Sequence, residues 1–301
     1  MAGSFEYFRR YAAERRTVMK HVGYYNGQIG PLEEMKIPML DRAVYFGDGC
    51  YDATTFANNR IFALKDHLDR FYNSCRLLEI PFDMPREDLT AALMQCIDAN
   101  ELDHGMLYWQ CSRGTYYRAH NFPPAEIKPN LMIFTVPCEL IPMDQTFRLI
   151  SMEDTRFLHC NIKTLNLIPS VIAYQRCIEA GCQETVFHRG DRVTECAHSN
   201  VLMIKDGVLC TPPRDNLILP GITLKHLLEL ATAEGIPVRE APFTMEELRN
   251  ADEIIISSSG GLCIAATELD GQPVGGKDPK TLKTLQDAYT AFYAKDTGLT
   301  C

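Results

Sequence analysis

Three features of this chain have residue types and spacings that suit covalent chemistry on a carbonyl. The first is Lys163, in the run His159-Cys-Asn-Ile-Lys163-Thr-Leu-Asn-Leu-Ile-Pro169, a mostly uncharged segment between a predicted strand and a predicted helix. An amine in less polar surroundings loses its proton more easily than one in water, and a neutral amine attacks aldehydes and ketones. Taken alone, the same residue also reads as a lysine whose stem packs while its ammonium reaches solvent. The second feature is Glu195 in Thr194-Glu195-Cys-Ala-His-Ser199-Asn200, which follows a hairpin and opens another strand. A lysine that holds an aldehyde cofactor needs an electron sink, and the sink needs an acid that keeps its ring nitrogen protonated. Glu195 has the chemistry for that task. The third feature is a pair of anion cradles. Leu219-Pro-Gly221-Ile222-Thr223 precedes a helix whose free N–H groups would receive a phosphate. Ser257-Ser258-Ser259-Gly260-Gly261 ends a strand with hydroxyls and flexible backbone suited to the same anion. Lysine, carboxylate and two phosphate cradles, in that order, describe pyridoxal phosphate binding.

A fourth feature is the loop Arg113-Gly114-Thr-Tyr-Tyr-Arg118-Ala-His120. An arginine and a histidine at i and i+2 of an extended segment share one face, and a planar guanidinium beside an imidazole donor suits a carboxylate. The pair equally fits an exposed loop on an acidic protein.

With these residues in view, the chain resembles the class IV, or fold-type IV, pyridoxal-phosphate aminotransferases, and among them most closely the D-amino acid aminotransferases. The resemblance runs from about Gly23 to Gln272. It rests on Asp41-Arg42, Phe46-Gly47-Asp48-Gly49, His67-Leu-Asp-Arg70, Arg113-Gly114, Lys163 with Leu165-Asn166, Thr194-Glu195, Gly221-Ile222-Thr223 and Asp252-Glu253. It implies a mixed α/β (α+β) fold with a small N-terminal α/β domain, a larger C-terminal pseudo-barrel and an active site at their junction. It implies that Lys163 carries the cofactor and moves the substrate proton, and that Glu195 holds the pyridine nitrogen. Arg70, the Ile222 and Thr223 backbone, Ser258 and Ser259 would then grip the phosphate. Tyr51, Arg118 and His120 would hold the substrate α-carboxylate. The implied reaction is ping-pong exchange between D-amino acids, such as D-alanine and D-glutamate, and 2-oxo acids in a homodimer.

The resemblance leaves alternatives. Branched-chain L-amino acid aminotransferases lack the Arg-x-His arrangement, whereas aminodeoxychorismate lyases use the same lysine and glutamate for an elimination. Cys196, Ala197 and His198 stand where small residues are usual, and Gly-Gly-Leu-Cys-Ile follows Ser259 in place of a threonine-rich run. Those departures are the support for a protein that holds cofactor without turnover. His198 reads as a packed or solvent-facing histidine and receives no catalytic role.

The elements that must position these groups are legible in outline. Ser4 to Arg16 reads as an extra N-terminal helix, and Val18 to Tyr25 as a strand turning at Asn26-Gly27. Tyr51 to Phe56 and Arg60 to Leu64 flank Asn58-Asn59 as a second hairpin. Asp66 is the expected N-cap of a helix with Leu68, Phe71, Tyr72, Cys75 and Leu78 on one stripe. Arg70 lies off that stripe, so periodicity makes it a solvated surface residue. A helix at Arg86 to Asn100 and strands at Met106 to Ser112 and Asn130 to Val136 complete an N-terminal domain, residues 1–136. Residues 137–144, with prolines at both 137 and 142, form the expected linker to a C-terminal domain, 145–301. That domain has strands at Phe147 to Met152, Thr185 to His188, Arg192 to Glu195, Val201 to Lys205, Val208 to Thr211 and Glu253 to Ser257. Helices are expected at Ser170 to Ala180, after Gly221, and at Pro279 to Lys295.

Composition excludes several other classes. With 301 residues and 46% hydrophobic content the chain buries a large core. A net charge of −9 gives no electrostatic footing for nucleic acid or an anionic membrane. There is no run of eighteen apolar residues. Twelve cysteines without a C-x-x-C pair, and eight histidines without H-x-x-x-H spacing, predict packed free thiols in a cytoplasmic enzyme with no metal. Cys160 and Cys196 are expected near the cofactor and chemically sensitive.

Overall fold

The computed structural model describes residues 21–299, so the helix expected at Ser4 to Arg16 lies outside the described residues. Two sheets organise the chain. The first has the order β2-β1-β6-β5-β3-β4, from β1 (Val22–Tyr25), β2 (Gln28–Pro31), β3 (Gly49–Ala57), β4 (Arg60–Ile61), β5 (His104–Ser112) and β6 (Asn130–Val136). All its pairings are antiparallel. Its two hairpin turns hold φ of 47° and 91° at Asn26-Gly27, and of 50° and 58° at Asn58-Asn59. Positive φ at both central residues matches the twist of the flanking strands, and asparagine and glycine tolerate it best. Helices α2 (Leu64–Leu77) and α3 (Arg86–Ala99) lay Phe71, Leu89 and Leu93 against Trp109 and Ile133.

The second sheet has the order β12-β11-β10-β13-β14-β7-β8-β9, with β15 paired to β14. Its strands are β7 (Thr146–Glu153), β8 (Glu184–Arg189), β9 (Arg192–Cys196), β10 (Asn200–Lys205), β11 (Val208–Thr211), β12 (Val238–Glu240), β13 (Glu253–Ser257), β14 (Ile264–Leu269) and β15 (Gln272–Pro273). β9 and β10 lie far apart in that order, yet Asn200 on β10 donates to Glu195 on β9. The sheet therefore curls back towards itself as a half-barrel. Val201 and Met203 of β10 face a core shared with Val193 and Ile256, whereas Leu202 and Ile204 face a second core under helices α5 (Ile222–Ala233) and α7 (Pro279–Thr297). Burial on both faces is why β10 and β13 read as unbroken apolar runs.

The two sheets are joined by packing as well as by chain. Phe62 leaves the first sheet and enters the core of α5 and α7. Thr55 Oγ1 lies 3.0 Å from the Tyr293 hydroxyl, and the Ala63 N–H donates to Asp296. No helix among the described residues is long and apolar enough to cross a membrane. The eleven described cysteines are free thiols, ten of them buried.

Several expectations from sequence need correction. α2 begins at Leu64 with Ala63 as N-cap at φ 49°, and Asp66 caps nothing. Asp66 instead reaches Lys225 and His226 on α5. Arg70 is 9% exposed, because Asp52 on β3 grips its guanidinium at a position off the helix's apolar stripe. Two short helices were not anticipated: α1 (Arg42–Phe46), capped by the Asp41 carboxylate, and α6 (Met245–Arg249), with a full Thr244–Glu247 capping box. The helix at Ser170 starts two residues earlier, as α4 (Ile168–Glu179). Strands β12, β14 and β15 were also missed.

Candidate active site

Lys163 stands in a loop clamped onto β3. Its carbonyl accepts from the Tyr51 N–H at 2.9 Å, and the next residue, Thr164, bridges Cys50. Its Nζ lies 4.2 Å from the centre of the Tyr51 ring, which stacks on Tyr108, which in turn stacks on Phe134. An ammonium over an aromatic face is attracted to the ring quadrupole, so the stack holds the amine in one place. Lys163 and Tyr51 are thus brought together.

Glu195 is 5% exposed and ends β9. One carboxylate oxygen accepts from Arg156 Nη1. The other accepts from Asn200 Nδ2 and the Leu219 N–H, each at 3.0 Å. Burial pushes its pKa up to about 7 despite the Arg156 guanidinium and the Leu219 N–H, both of which favour the anion. An ionised carboxylate offers about four acceptor sites. Three are filled here, leaving one for a ring N–H. Arg156 is a partner that sequence reading missed; fully buried Asp154 holds it through both carboxylate oxygens and also takes Arg189 and Thr194.

The phosphate candidates converge from both sheets. Arg70 is gripped by Asp52 of β3, with Nε to Oδ2 at 2.8 Å and Nη2 to Oδ1 at 2.6 Å, and His67 Nδ1 lies 2.8 Å from the same Oδ1. The bidentate pair fixes the guanidinium and leaves Nη1 outside it. Arg70 and His67 drive the pKa of Asp52 far down against its burial. The Ser259 hydroxyl donates to the carbonyl of Ala53, beside Asp52, at 3.4 Å. Ser258 closes a tight turn, its Oγ accepting from the Gly261 N–H at 3.1 Å. Ile222 and Thr223 open α5 after Gly221, and no side chain caps that end. Ser257 belongs to the serine-rich stretch read as an anion cradle but was given no role of its own; its buried hydroxyl has no partner, and it stands opposite Asn200 across the β10–β13 pair.

Arg118 and His120 each pack on Phe46 of α1. The Arg118 guanidinium lies 5.1 Å from the Phe46 ring, and the His120 ring centre is also 5.1 Å from it. Both are exposed. Phe46 and His120 line a cavity of about 250 Å³ with Arg42, Asp48, Leu78 and Asn166, three residues from Lys163. Arg113 turns inward to Asp48 and caps the carbonyls of Leu78 and Glu79 at the end of α2.

His198 faces solvent and packs edge-on against Tyr174, the ring centres 4.8 Å apart, as expected. Its side chain is 55% exposed, with Nδ1 2.9 Å from Glu184, a fully buried carboxylate that also accepts from the Ser199 hydroxyl. Partial burial opposes charge on the ring, but Glu184 raises its pKa on balance. The cysteines beside the site are less reactive than expected. Burial raises the Cys160 thiol to about 11 and the Cys196 thiol further, so neither supplies much thiolate.

A fixed amine, a buried carboxylate with one open acceptor site, an uncapped helix start and an orphaned serine hydroxyl fit pyridoxal phosphate at its reactive carbon, ring nitrogen and phosphate. The curled sheet and this donor set define a fold-type IV site. Comparison with known proteins agrees. The model for amino-transferase class IV matches residues 49–269. D-alanine aminotransferase of Staphylococcus epidermidis is 37% identical over 274 residues, 89% of this chain and 96% of that protein. Among solved structures, Escherichia coli branched-chain amino acid aminotransferase superposes with TM-score 0.84 at 24% identity, covering 92% of this chain and 96% of that one. A Legionella pneumophila protein assigned as a 4-amino-4-deoxychorismate lyase superposes with TM-score 0.77 at 23% identity, covering 87% and 97%. The chain belongs to the class IV aminotransferase family and is a pyridoxal-phosphate-dependent transaminase.

Proposed function

We propose that the protein is a D-amino acid aminotransferase, exchanging amino groups between D-amino acids such as D-alanine and D-glutamate and 2-oxo acids. The observation that carries this reading is the Arg118–His120 pair gathered on Phe46, together with the similarity to D-alanine aminotransferases along most of the chain. A guanidinium and an imidazole gathered at one ring suit an α-carboxylate. The other solved folds of this type share the half-barrel, so shape alone does not choose among them.

When bound, the cofactor supplies an aldehyde that takes up amino groups and a ring that accepts the electron pair left at Cα. Lys163 Nζ is the amine that carries it and the base that moves the Cα proton, held in place by Tyr51. Glu195 keeps the ring nitrogen protonated, while Arg156 and Asn200 hold the carboxylate in position. Arg70, the Ile222 and Thr223 N–H groups, Ser258 and Ser259 hold the phosphate. Tyr51, Arg118 and His120 bind the substrate carboxylate. The unit is a homodimer with its site at the junction of residues 1–136 and 145–301, and we place it in the cytoplasm on the strength of its free thiols.

Assays with D-alanine, L-leucine and aminodeoxychorismate as separate substrates test the reading. Turnover should be greatest with D-alanine; a preference for L-leucine, or pyruvate release from aminodeoxychorismate, would replace it. Lys163→Ala should abolish both turnover and the cofactor's bound absorption band. Arg118→Ala should raise KM for D-alanine by about 10–100-fold, the scale of losing a charge-assisted hydrogen bond from a bound carboxylate.

A further inference from the structure

The two halves of the proposed phosphate cradle belong to different sheets. Arg70 rides on α2, beside the first sheet, whereas Ile222 and Thr223 open α5, which covers the second. Their separation depends on how these two helices are held. One turn before Arg70, Asp66 reaches across from α2 to α5. Its Oδ1 accepts from Lys225 Nζ at 2.7 Å, and its Oδ2 lies 2.8 Å from His226 Nε2. The Lys225 contact is half open to water, but His226 is only 3% exposed.

The contact continues inward. His226 Nδ1 lies 3.2 Å from the hydroxyl of fully buried Tyr289, which sits beside the Thr223 side chain. Asp66 is an acceptor, so a neutral His226 carries its proton on Nε2 and accepts from Tyr289 at Nδ1. Tyr289 has then donated its proton, and its oxygen is left as an acceptor facing Thr223. The relay thus runs from α2 through the interior of the second lobe to the second residue of α5, one of the two residues that open this cradle. Every link in it is buried or charge-assisted, the conditions under which hydrogen bonds fix geometry most strongly.

We infer that Asp66 is a positioning residue for the phosphate subsite: by clamping Lys225 and His226 it sets the distance between Arg70 and the N-terminus of α5. The inference rests on the assignment of Arg70 and Thr223 to the phosphate, and is independent of which amino acids are exchanged. Asp66 itself contacts neither cofactor nor substrate in this scheme. Loss of the clamp weakens recognition of the phosphate without altering recognition of the ring or the aldehyde.

The test compares pyridoxal phosphate with pyridoxal, which lacks the phosphate, as ligands of the reconstituted enzyme, read by the absorbance of the bound form. Asp66→Asn should weaken pyridoxal phosphate by about tenfold relative to pyridoxal, the scale of one charge-assisted hydrogen bond, and Asp66→Glu should recover most of the loss. Tyr289→Phe keeps the buried ring and cuts the relay beyond His226; it should shift the same ratio in the same direction. Equal weakening of both ligands, or of neither, would reduce Asp66 to a structural ion pair and overturn the inference. Arg70→Ala separates the two levels of the argument. If it leaves the ratio unchanged, the cradle is misassigned and the clamp falls with it; if Arg70→Ala shifts the ratio and Asp66→Asn does not, only the clamp falls.

Discussion

Glu195 shows how a single residue's environment carries both function and cost. Its carboxylate is buried against Arg156, Asn200 and the Leu219 N–H, and its pKa rises to about 7. A folded-state pKa above the ordinary carboxylate value means the protonated form is the one burial favours. The stability this group contributes is therefore fully present below the unfolded pKa and is lost as pH rises to about 7. In cofactor-free protein, thermal melts of the wild type and of Glu195→Gln should thus diverge with pH, the wild type losing ground from the unfolded carboxylate range near 4.5 up to about 7. A difference in melting temperature that stays constant across that range would mean Glu195 is not ionised by burial-limited titration. With cofactor bound, the same substitution should lower kcat by about 10²–10³, the range for removing one preorganised electrostatic partner. Lys163 and Glu195 were legible in sequence because their chemistry is local: one amine in a quiet segment, one carboxylate at a strand end. Arg156 was not, since nothing in its neighbours in sequence says that β7 runs alongside β8 and β8 pairs with β9. Arg70 was misread for a related reason: the apolar stripe of one helix does not reveal a buried carboxylate such as Asp52 on the sheet beside it.

The starts of α5 and α2 show how much an element's end can determine. Gly221 has an ordinary φ of −61°, so its backbone has no need of glycine. Its surroundings do: a Cβ there would stand 2.0 Å from Asn200 Oδ1. Gly221→Ala should push Asn200 off Glu195 and cost about 1–3 kcal/mol, as overpacking of a filled interior does. Its cofactor dissociation constant should rise together with the loss in melting temperature; unchanged binding would uncouple the α5 start from the Glu195 network. Ala63 is the converse case. It begins α2 at φ 49°, a left-handed conformation that costs an L-residue roughly 1–2 kcal/mol, and that cost exceeds the extra chain entropy of glycine, roughly 0.5–1 kcal/mol. Ala63→Gly should accordingly stabilise the protein by up to about 1 kcal/mol in urea unfolding. The hairpins were legible because Asn-Gly, Asn-Asn and Asp-Gly state their turn geometry in two residues. The Thr244–Glu247 capping box was written just as openly but belongs to a helix of five residues, too short for periodicity to flag. Asp66 was taken for a cap because acceptor residues near a helix start usually are; its true partners lie about 160 positions along the chain.

At the scale of the whole molecule, the apolar surface left in water points to a second copy. α4 turns Ile168, Val171 and Ile172 outward at i, i+3 and i+4, exposed by 69%, 60% and 50%. Phe157, Leu158 and Leu167 extend the apolar surface towards the Lys163 loop, and around α1 Met39 is 87% exposed and Val44 56%. We propose that this apolar stripe is the contact face of the homodimer. The stripe begins five residues after Lys163, so a partner seated on it would wall the active-site loop from water. Closed two-fold pairing is the commonest assembly for such surfaces. Sedimentation at micromolar concentration should give a mass twice the 34.0 kDa of the chain. Ile168→Asp with Val171→Asp places two charges where the partner's apolar side chains would lie, and burying an unpaired charge there is prohibitive. The double variant should sediment as a monomer and lose most of its turnover, while retaining the secondary structure seen by circular dichroism. A double variant that stays dimeric would move the interface off α4, towards the exposed residues around α1. One that becomes monomeric with turnover intact would keep the interface on α4 but show that each Lys163 loop is complete on its own.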